Sequence, residues 1–254
     1  MILTSLVFSI AASQGTAAPP TAGALVSKMF GRYTSAKSFS GRIKTIQTAR
    51  GLTVTTDTIL AYERPSKIRL DQSQTGPKVK RSTTLVSNGI VFEYTKPQDL
   101  FGEPILKEPV QPEGRKAQTI GDMYTVVGGD IPDRSPVLDM LVARREDLAR
   151  FRDRIFSVGL GAKETINGRT TNVVVGGLKE PGTATKMADY KLYLTEEGEI
   201  VRFVIVQNYA VPAANPRPGL PPVPGDPVTV TTTWDIAGTV DAPLEAGTFK
   251  LPVG

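Results

Sequence analysis

The chain has 254 residues, 40% of them hydrophobic, and 30 Lys and Arg against 25 Asp and Glu give a formal net charge of +5. It contains no Cys and no His, which excludes disulfides, thiol nucleophiles, thiolate and imidazole metal sites, Ser-His-Asp triads and imidazole proton shuttles. Acids and bases are interspersed without long blocks of like charge, so the basic balance describes a surface and not a nucleic-acid-binding run. One large domain suits this length, since single β-rich domains reach ~200–250 residues.

Residues 1–18 carry no charge, and Ile2 to Ala12 is a short apolar run with small residues after it. Such a run is too short to span a bilayer but suits the core of a secretory signal peptide, with cleavage after Ser13 or Ala17. It departs from that pattern in having no basic residue near its start. The expectation is a signal peptide over 1–18 and one domain over 19–254, soluble and extracytoplasmic. With no Cys after the leader, anchoring through an N-terminal lipidated cysteine is not expected.

Pro19-Pro20-Thr21 can open a helix, and Leu25, Val26, Met29, Phe30 and Tyr33 then form one helical stripe opposite Ser27, Lys28 and Arg32. This predicts a helix laid on a sheet. Ser38-Phe39-Ser40-Gly41 leads into a strand around 42–48, and Arg50-Gly51 supplies a hairpin-like break. Leu52, Val54, Thr56, Thr58, Leu60 and Tyr62 share one parity, the pattern of a half-buried strand, although Ile59 and Ala61 blur its end. Arg64-Pro65 interrupts, and Ile68 and Leu70 alternate with Lys67, Arg69 and Asp71 in the next strand. Gln74-Thr75-Gly76-Pro77 predicts a turn. Segments 83–86 and 90–95 flank Ser87-Asn88-Gly89, and Asn-Gly is a strong hairpin signal. The outcome is a meander of about five strands.

Pro97, Pro104, Pro109 and Pro112 mark a long loop over 97–114. A short helix is expected over 116–127, before Gly128-Gly129. Ser135-Pro136 combines a capping hydroxyl with Pro at the first helical position. The helix it opens should place Val137, Leu138, Leu141, Leu148, Phe151 and Ile155 on one face, with Arg144, Arg145, Arg150, Arg152 and Arg154 toward the outside. That basic face reads first as solvated and second as a partner-docking or anionic-headgroup surface, for which Arg144, Arg145 and Arg152 are the candidates.

Strands return over 162–166 and 170–175, flanking Asn167-Gly168. Tyr190, Leu192 and Leu194 alternate with polar residues, and Glu197-Gly198 turns into 200–207. There Val201, Phe203 and Ile205 oppose Val204 and Val206, as expected of a strand buried on both faces. Seven prolines between Pro212 and Pro227 predict a second Pro-rich loop over 211–227. Val228, Val230, Thr232, Trp234 and Ile236 form a last amphipathic strand.

The order helix, meander, loop, helices, meander argues for an α+β fold with one antiparallel sheet. A sheet of roughly nine to eleven twisted strands curls into a partial barrel. Helices on its concave side would enclose a core or a cavity.

The acids Glu63, Asp71, Glu93, Asp130, Asp133, Glu164 and Asp235 could supply a glycosidase-like pair, but none sits in a distinctive motif. Gly128-Gly129-Asp130 lacks the Lys-Ser/Thr of a phosphate loop. The few aromatic residues are not interleaved with basic ones, which argues against single-stranded nucleic acid. Arg64 is in tension: it shares the parity of Leu60 and Tyr62, yet an unpaired buried charge costs on the order of several kcal/mol. Two placements are open, an outward surface salt bridge after the Pro-induced kink, and an inward guanidinium bonded to carbonyls of a covering segment.

Several pieces together resemble the LolA/LolB-type lipoprotein carrier superfamily and its lipoprotein-sorting relatives. They are the N-terminal helix with Ser38-Phe39-Ser40-Gly41, Glu63-Arg64-Pro65-Ser66-Lys67-Ile68-Arg69, Val86-Ser87-Asn88-Gly89 with Phe92-Glu93-Tyr94, Glu164-Thr165-Ile166-Asn167-Gly168-Arg169, and Phe249-Lys250-Leu251-Pro252. The ordered combination spans about residues 25 to 254. The resemblance implies a strongly curved, unclosed barrel of about eleven antiparallel strands with lid helices on the concave side, and an interior that receives acyl chains. It also implies that Arg64, as the arginine before Pro, hydrogen-bonds lid backbone and keeps the empty cavity closed. Candidates for the apolar cavity, from parity, are Leu60, Tyr62, Ile68, Leu70, Phe92 and Trp234. The chain departs from the compact carriers in its two Pro-rich loops and from the membrane-bound member in lacking the anchoring cysteine.

The leading expectation is a monomeric, non-enzymatic periplasmic or otherwise extracytoplasmic carrier of lipoprotein acyl chains or another lipid, needing no cofactor or metal. It would act in outer-membrane biogenesis, exchanging cargo with membrane donor and acceptor proteins and binding no nucleic acid. The alternatives are a lipid-sensing regulatory module docking a protein partner, and a carboxylate-based hydrolase.

Overall fold

The computed structural model describes residues 20–77, 79–95, 131–142, 152–180, 182, 185–211 and 225–251. The expected signal peptide, the 97–114 loop, the helix over 116–127, and Arg144, Arg145 and Arg150 lie outside the described residues, as does most of the second Pro-rich loop.

Helix α1, Ala22–Thr34, begins where Thr21 accepts a hydrogen bond from the Ala24 amide at 3.2 Å. Its stripe of Leu25, Val26, Met29, Phe30 and Tyr33 is buried, as the spacing predicts. A meander of β1 (Ser38–Ala49), β2 (Leu52–Glu63), β3 (Lys67–Gly76), β4 (Val79–Asn88) and β5 (Phe92–Thr95) follows. Helix α2, Pro136–Val142, separates it from β6 (Ile155–Leu160), β7 (Glu164–Ile166), β8 (Arg169–Lys179), β9 (Lys186–Leu194), β10 (Ile200–Val211) and β11 (Gly225–Val240).

These strands make one 11-stranded antiparallel sheet in the order β5-β4-β3-β2-β1-β11-β10-β9-β8-β6, with β7 paired to β8. The last strand therefore inserts between the two meanders and joins them, with Ile43 opposite Ile236 and Thr45 opposite Trp234. The ends of the sheet, β5 and β6, are not paired to one another, so this is an α+β unclosed barrel. Both helices pack into the concave face, and their apolar residues share one core with Phe39, Leu60, Leu70, Leu85, Leu192 and Ile236. Among the described residues no helix is long and apolar enough to cross a membrane.

The hairpins follow from turn chemistry. Arg50-Gly51 and Asn167-Gly168 hold positive φ at both positions (49° and 74°, 50° and 77°), the mirror-image turn whose twist matches the flanking strands. In the β4–β5 turn the Asn88 side chain accepts from the Ile90 and Val91 amides at 2.9 and 3.0 Å.

Four expectations are corrected. Gln74 and Thr75 do not turn: they pair with Thr56 and Thr55, and β3 runs on to Gly76 opposite Val79. Ile155 is not helical but opens β6, because the pairing edge of β8 takes it opposite Leu178. Asp226 and Pro227 belong to β11, which starts at Gly225 opposite Val211. Val201 and Phe203 do not share a face, because a bulge between Ile200 and Arg202 shifts the parity. Ile200 and Phe203 enter the main core, whereas Val201 packs on the convex side with Ile166, Val173 and Tyr193, covered by the β7–β8 hairpin.

Candidate ligand site

Helix α1 is bound to the sheet at many points. The Arg32 guanidinium reaches Glu199 at 3.1 Å, Asp241 at 3.0 Å and the Val240 carbonyl at 3.1 Å. The Ile200 amide donates to the Tyr33 hydroxyl at 3.0 Å, and burial pushes that phenol well above its ordinary range. The Lys28 ammonium donates to the Glu196 carbonyl. Gly198, at φ 89°, lies so close that a Cβ there would sit 3.1 Å from the Lys28 and Met29 backbone. These contacts fasten α1 to the sheet.

Arg64 adds to them. β2 ends at Glu63, so Arg64 lies beyond the pleat and its parity no longer directs it inward. Its side chain is exposed, and it donates from Nε to the Ala36 carbonyl at 2.7 Å and from a terminal nitrogen to the Thr34 carbonyl at 2.6 Å. Carbonyls at a helix C-terminus have no partner within the helix and carry its negative pole, which suits a guanidinium. The inward placement is therefore corrected, while the bonding to carbonyls of a covering element is what the structure has.

Helix α2 is attached differently. Ser135 Oγ accepts from the Leu138 amide at 3.2 Å, and Pro136, Val137, Leu138, Met140, Leu141 and Val142 are all buried. Just before it, Asp133 is held by three strands. Its carboxylate accepts from the Thr45 hydroxyl at 2.5 Å on β1 and from Trp234 Nε1 at 3.2 Å on β11. Its carbonyl accepts from the Gln72 side-chain amide at 2.8 Å on β3, which also donates to Thr58 at 3.0 Å. Burial raises the Asp133 carboxyl above its ordinary range; the bonds from Thr45 and Trp234 oppose the rise and the charge of Asp139 adds to it.

The interior is accordingly divided. Across β2, β3 and β4 the inward positions run from Leu60, Leu70 and Leu85 to Thr58, Gln72 and Thr83, each set directly opposed across the strands. All of these side chains are buried. Such a row of inward hydroxyls and amides needs partners, and the Asp133 backbone supplies them to Gln72.

The apolar half holds a small cavity of about 20 Å³. Val26 and Met29 of α1 and Pro136 and Met140 of α2 roof it. Ile155, Leu178, Tyr190, Leu192, Ile200 and Phe203 of the second meander form its floor. Its wall is apolar throughout, and in this closed form it has room for about one water-sized group.

The candidate residues Leu60, Tyr62, Ile68, Leu70, Phe92 and Trp234 are all buried in the shared core but do not line this cavity. Trp234 comes nearest, stacked on Phe203 with ring centroids 5.6 Å apart. Of the basic candidates, Arg152 is exposed and lies 4.8 Å over the Phe30 ring. Among the acids, Glu63, Asp71, Glu164 and Asp235 pair on the convex face with Lys67, Arg69, Lys191 and Arg202. Of the described candidates, only Asp133 enters the interior, and Asp130 lies outside the described residues. Asp133 was visible in the sequence as an acid two residues before a helix cap. Its partners were not, because they come from strands far apart in the chain.

No family model and no curated protein matches the chain. Among solved structures it is similar to the Mycobacterium tuberculosis lipoprotein LppX, at 10% identity and a TM-score of 0.45, over 87% of this chain and 96% of that one. It is similar to LprF from Mycobacterium bovis at 11% identity and TM-score 0.47, over 91% and 96% of the two chains. A LolA superfamily protein from Nitrosomonas europaea aligns at 10% identity and TM-score 0.28, over 92% and 99%. All three are likenesses of backbone course at low sequence identity.

Proposed function

We propose that the protein is a non-enzymatic extracytoplasmic carrier that takes the acyl chain of a lipid or lipoprotein between α2 and the second meander. The observation that supports this is the apolar cavity, roofed by the flexible side chains of Met29 and Met140 and bounded by α2, whose lead-in is held to the strands at Asp133. Methionine in a wall adapts to irregular apolar ligands. Each methylene moved from water into such a space contributes about 0.8 kcal/mol, so one long chain supplies the binding energy without polar contacts. That energy must exceed the cost of displacing α2, whose apolar face is buried in the closed form.

In this reading α2 is the first part of the roof to move, and full opening also lifts the C-terminal end of α1. Arg64 holds that end down, and because its bonds are lost on full opening they favour the closed, empty state, offset part of the acyl binding energy and promote release. Binding of a fluorescent acyl probe by the purified protein tests the proposal. Saturable binding with one site per chain supports it, and no uptake by lipid-free protein contradicts it.

A further inference from the structure

We propose, resting on the acyl-binding reading above, that Thr45, Gln72 and Trp234 form a head subsite for an acyl ligand whose head accepts hydrogen bonds, occupied in the closed structure by Asp133 of the chain itself. Three neutral donors, from β1, β3 and β11, converge on the one residue: a hydroxyl at 2.5 Å, an indole N–H at 3.2 Å and a primary amide at 2.8 Å. The Gln72 amide meets the Asp133 backbone from both sides, since its oxygen also accepts from the Asp133 amide at 3.4 Å.

Thr45 and Trp234 donate to a carboxylate, and burial works against it, while Gln72 donates to the backbone carbonyl of the same residue. The charge that bears on it, Asp139, has the same sign and raises the carboxyl further. Asp139 is in turn met by Arg134 at 3.3 Å. A tether needs only a neutral acceptor in that place. A pocket shaped for a carboxylate or an ester carbonyl gains nothing from an ammonium, because its donors would then face a donor.

The subsite adjoins the cavity through one ring pair. Trp234 carries the donated N–H and stacks on Phe203, a floor residue of the cavity. On the other side, Asp133 lies three residues before Pro136 and seven before Met140, both in the roof. Lifting the 133–140 stretch would open the apolar space and uncover the donors in the same movement. Thr45 and Trp234 would then lose their acceptor, while Gln72 keeps Thr58, and an inward polar group without a partner is costly until an acceptor arrives. An amphiphile with an acyl tail and an acceptor head meets both needs, and Asp133 stands in for that head while the site is empty.

The test compares a long-chain fatty acid, its methyl ester and the primary amine of equal chain length, each titrated into the intact lipid-free protein. The expected result is that acid and ester bind about tenfold or more tighter than the amine, a difference of about 1.4 kcal/mol. In Thr45→Val with Trp234→Phe, which remove two of the three donors, the preference for acid and ester over amine should shrink severalfold. Asp133→Ala, which removes the carboxylate from Thr45 and Trp234 and leaves the backbone bonds to Gln72, should tighten the acid and ester and leave the amine little changed. Equal binding of all three by the wild type overturns the head subsite and leaves the acyl cavity standing. Binding of none of them overturns both. If the double variant loses its fold, the Asp133→Ala comparison decides: equal tightening for acid and amine would show that Asp133 only fastens the roof.

Discussion

Trp234 donates to Asp133 across the interior at 3.2 Å while its ring stacks on Phe203 at 5.6 Å, so one side chain touches both the polar tether of α2 and the floor of the apolar cavity. The attachment of the roof and the shape of the cavity are thereby coupled. Several consequences can be measured.

Lower pH should close the roof. The Asp133 carboxyl is raised above its ordinary value of 3.8, chiefly by burial, so the closed state holds its proton more tightly than an open one. The stability this contributes is fully present below the ordinary value and is lost as pH rises through the raised value. Association of an acyl probe should therefore quicken as pH rises through that window, and Asp133→Asn should flatten the profile. A profile unchanged in the variant would count against Asp133 as the titrating group.

Met140→Ala should lower unfolding stability by ~2–5 kcal/mol, the range for truncating a buried methionine. Because the lost atoms enlarge the acyl space, a saturating acyl probe should restore more stability to the variant than it adds to the wild type. Thermal unfolding with and without the probe measures both. Equal increments would place Met140 outside the binding space.

Arg64→Leu removes two bonds to the Thr34 and Ala36 carbonyls. The variant should retain an acyl probe and release it more slowly, since the closed, empty state loses support. Arg64→Lys should not restore release fully, because an ammonium lacks the planar fork that reaches both carbonyls. Identical dissociation rates for wild type and Arg64→Leu would remove the latch role.

Gly198→Val should loosen α1 from the β9–β10 turn. The residue sits at φ 89°, and a Cβ would stand 3.1 Å from the helix backbone. A cost of about 1–3 kcal/mol is expected, together with faster amide exchange in 22–34 than in β1. Unchanged exchange would show that the turn accommodates the side chain.

Much of this architecture is legible in the sequence. Period-two rows in β2 and β11 and the helical stripe of α1 are read correctly, because each element has one buried face and the pattern is local. The glycine turns at Arg50-Gly51 and Asn167-Gly168 are likewise local. What fails is set by distant pairing. Gln74 and Thr75 look like turn residues until β2 pairs with them, and Val201 shares the parity of Phe203 until the bulge on β10 is known. Ile155 fits a helical stripe and is drawn into β6 by β8. The site follows the same rule. Arg64 stands out in the sequence as a charge beside a proline, but its carbonyl partners at the end of α1 do not. Thr56 and Thr58 already mark a polar stretch on an inward row. The Asp133 they accompany is found only when β1, β3 and β11 are brought side by side.

Native mass spectrometry of the protein purified from a membrane-containing host tests the central claim most directly. The account predicts a mass increment of one acyl lipid per chain, lost on delipidation and regained when a long-chain fatty acid is added. A bare polypeptide mass that stays unchanged after incubation with fatty acid would contradict it.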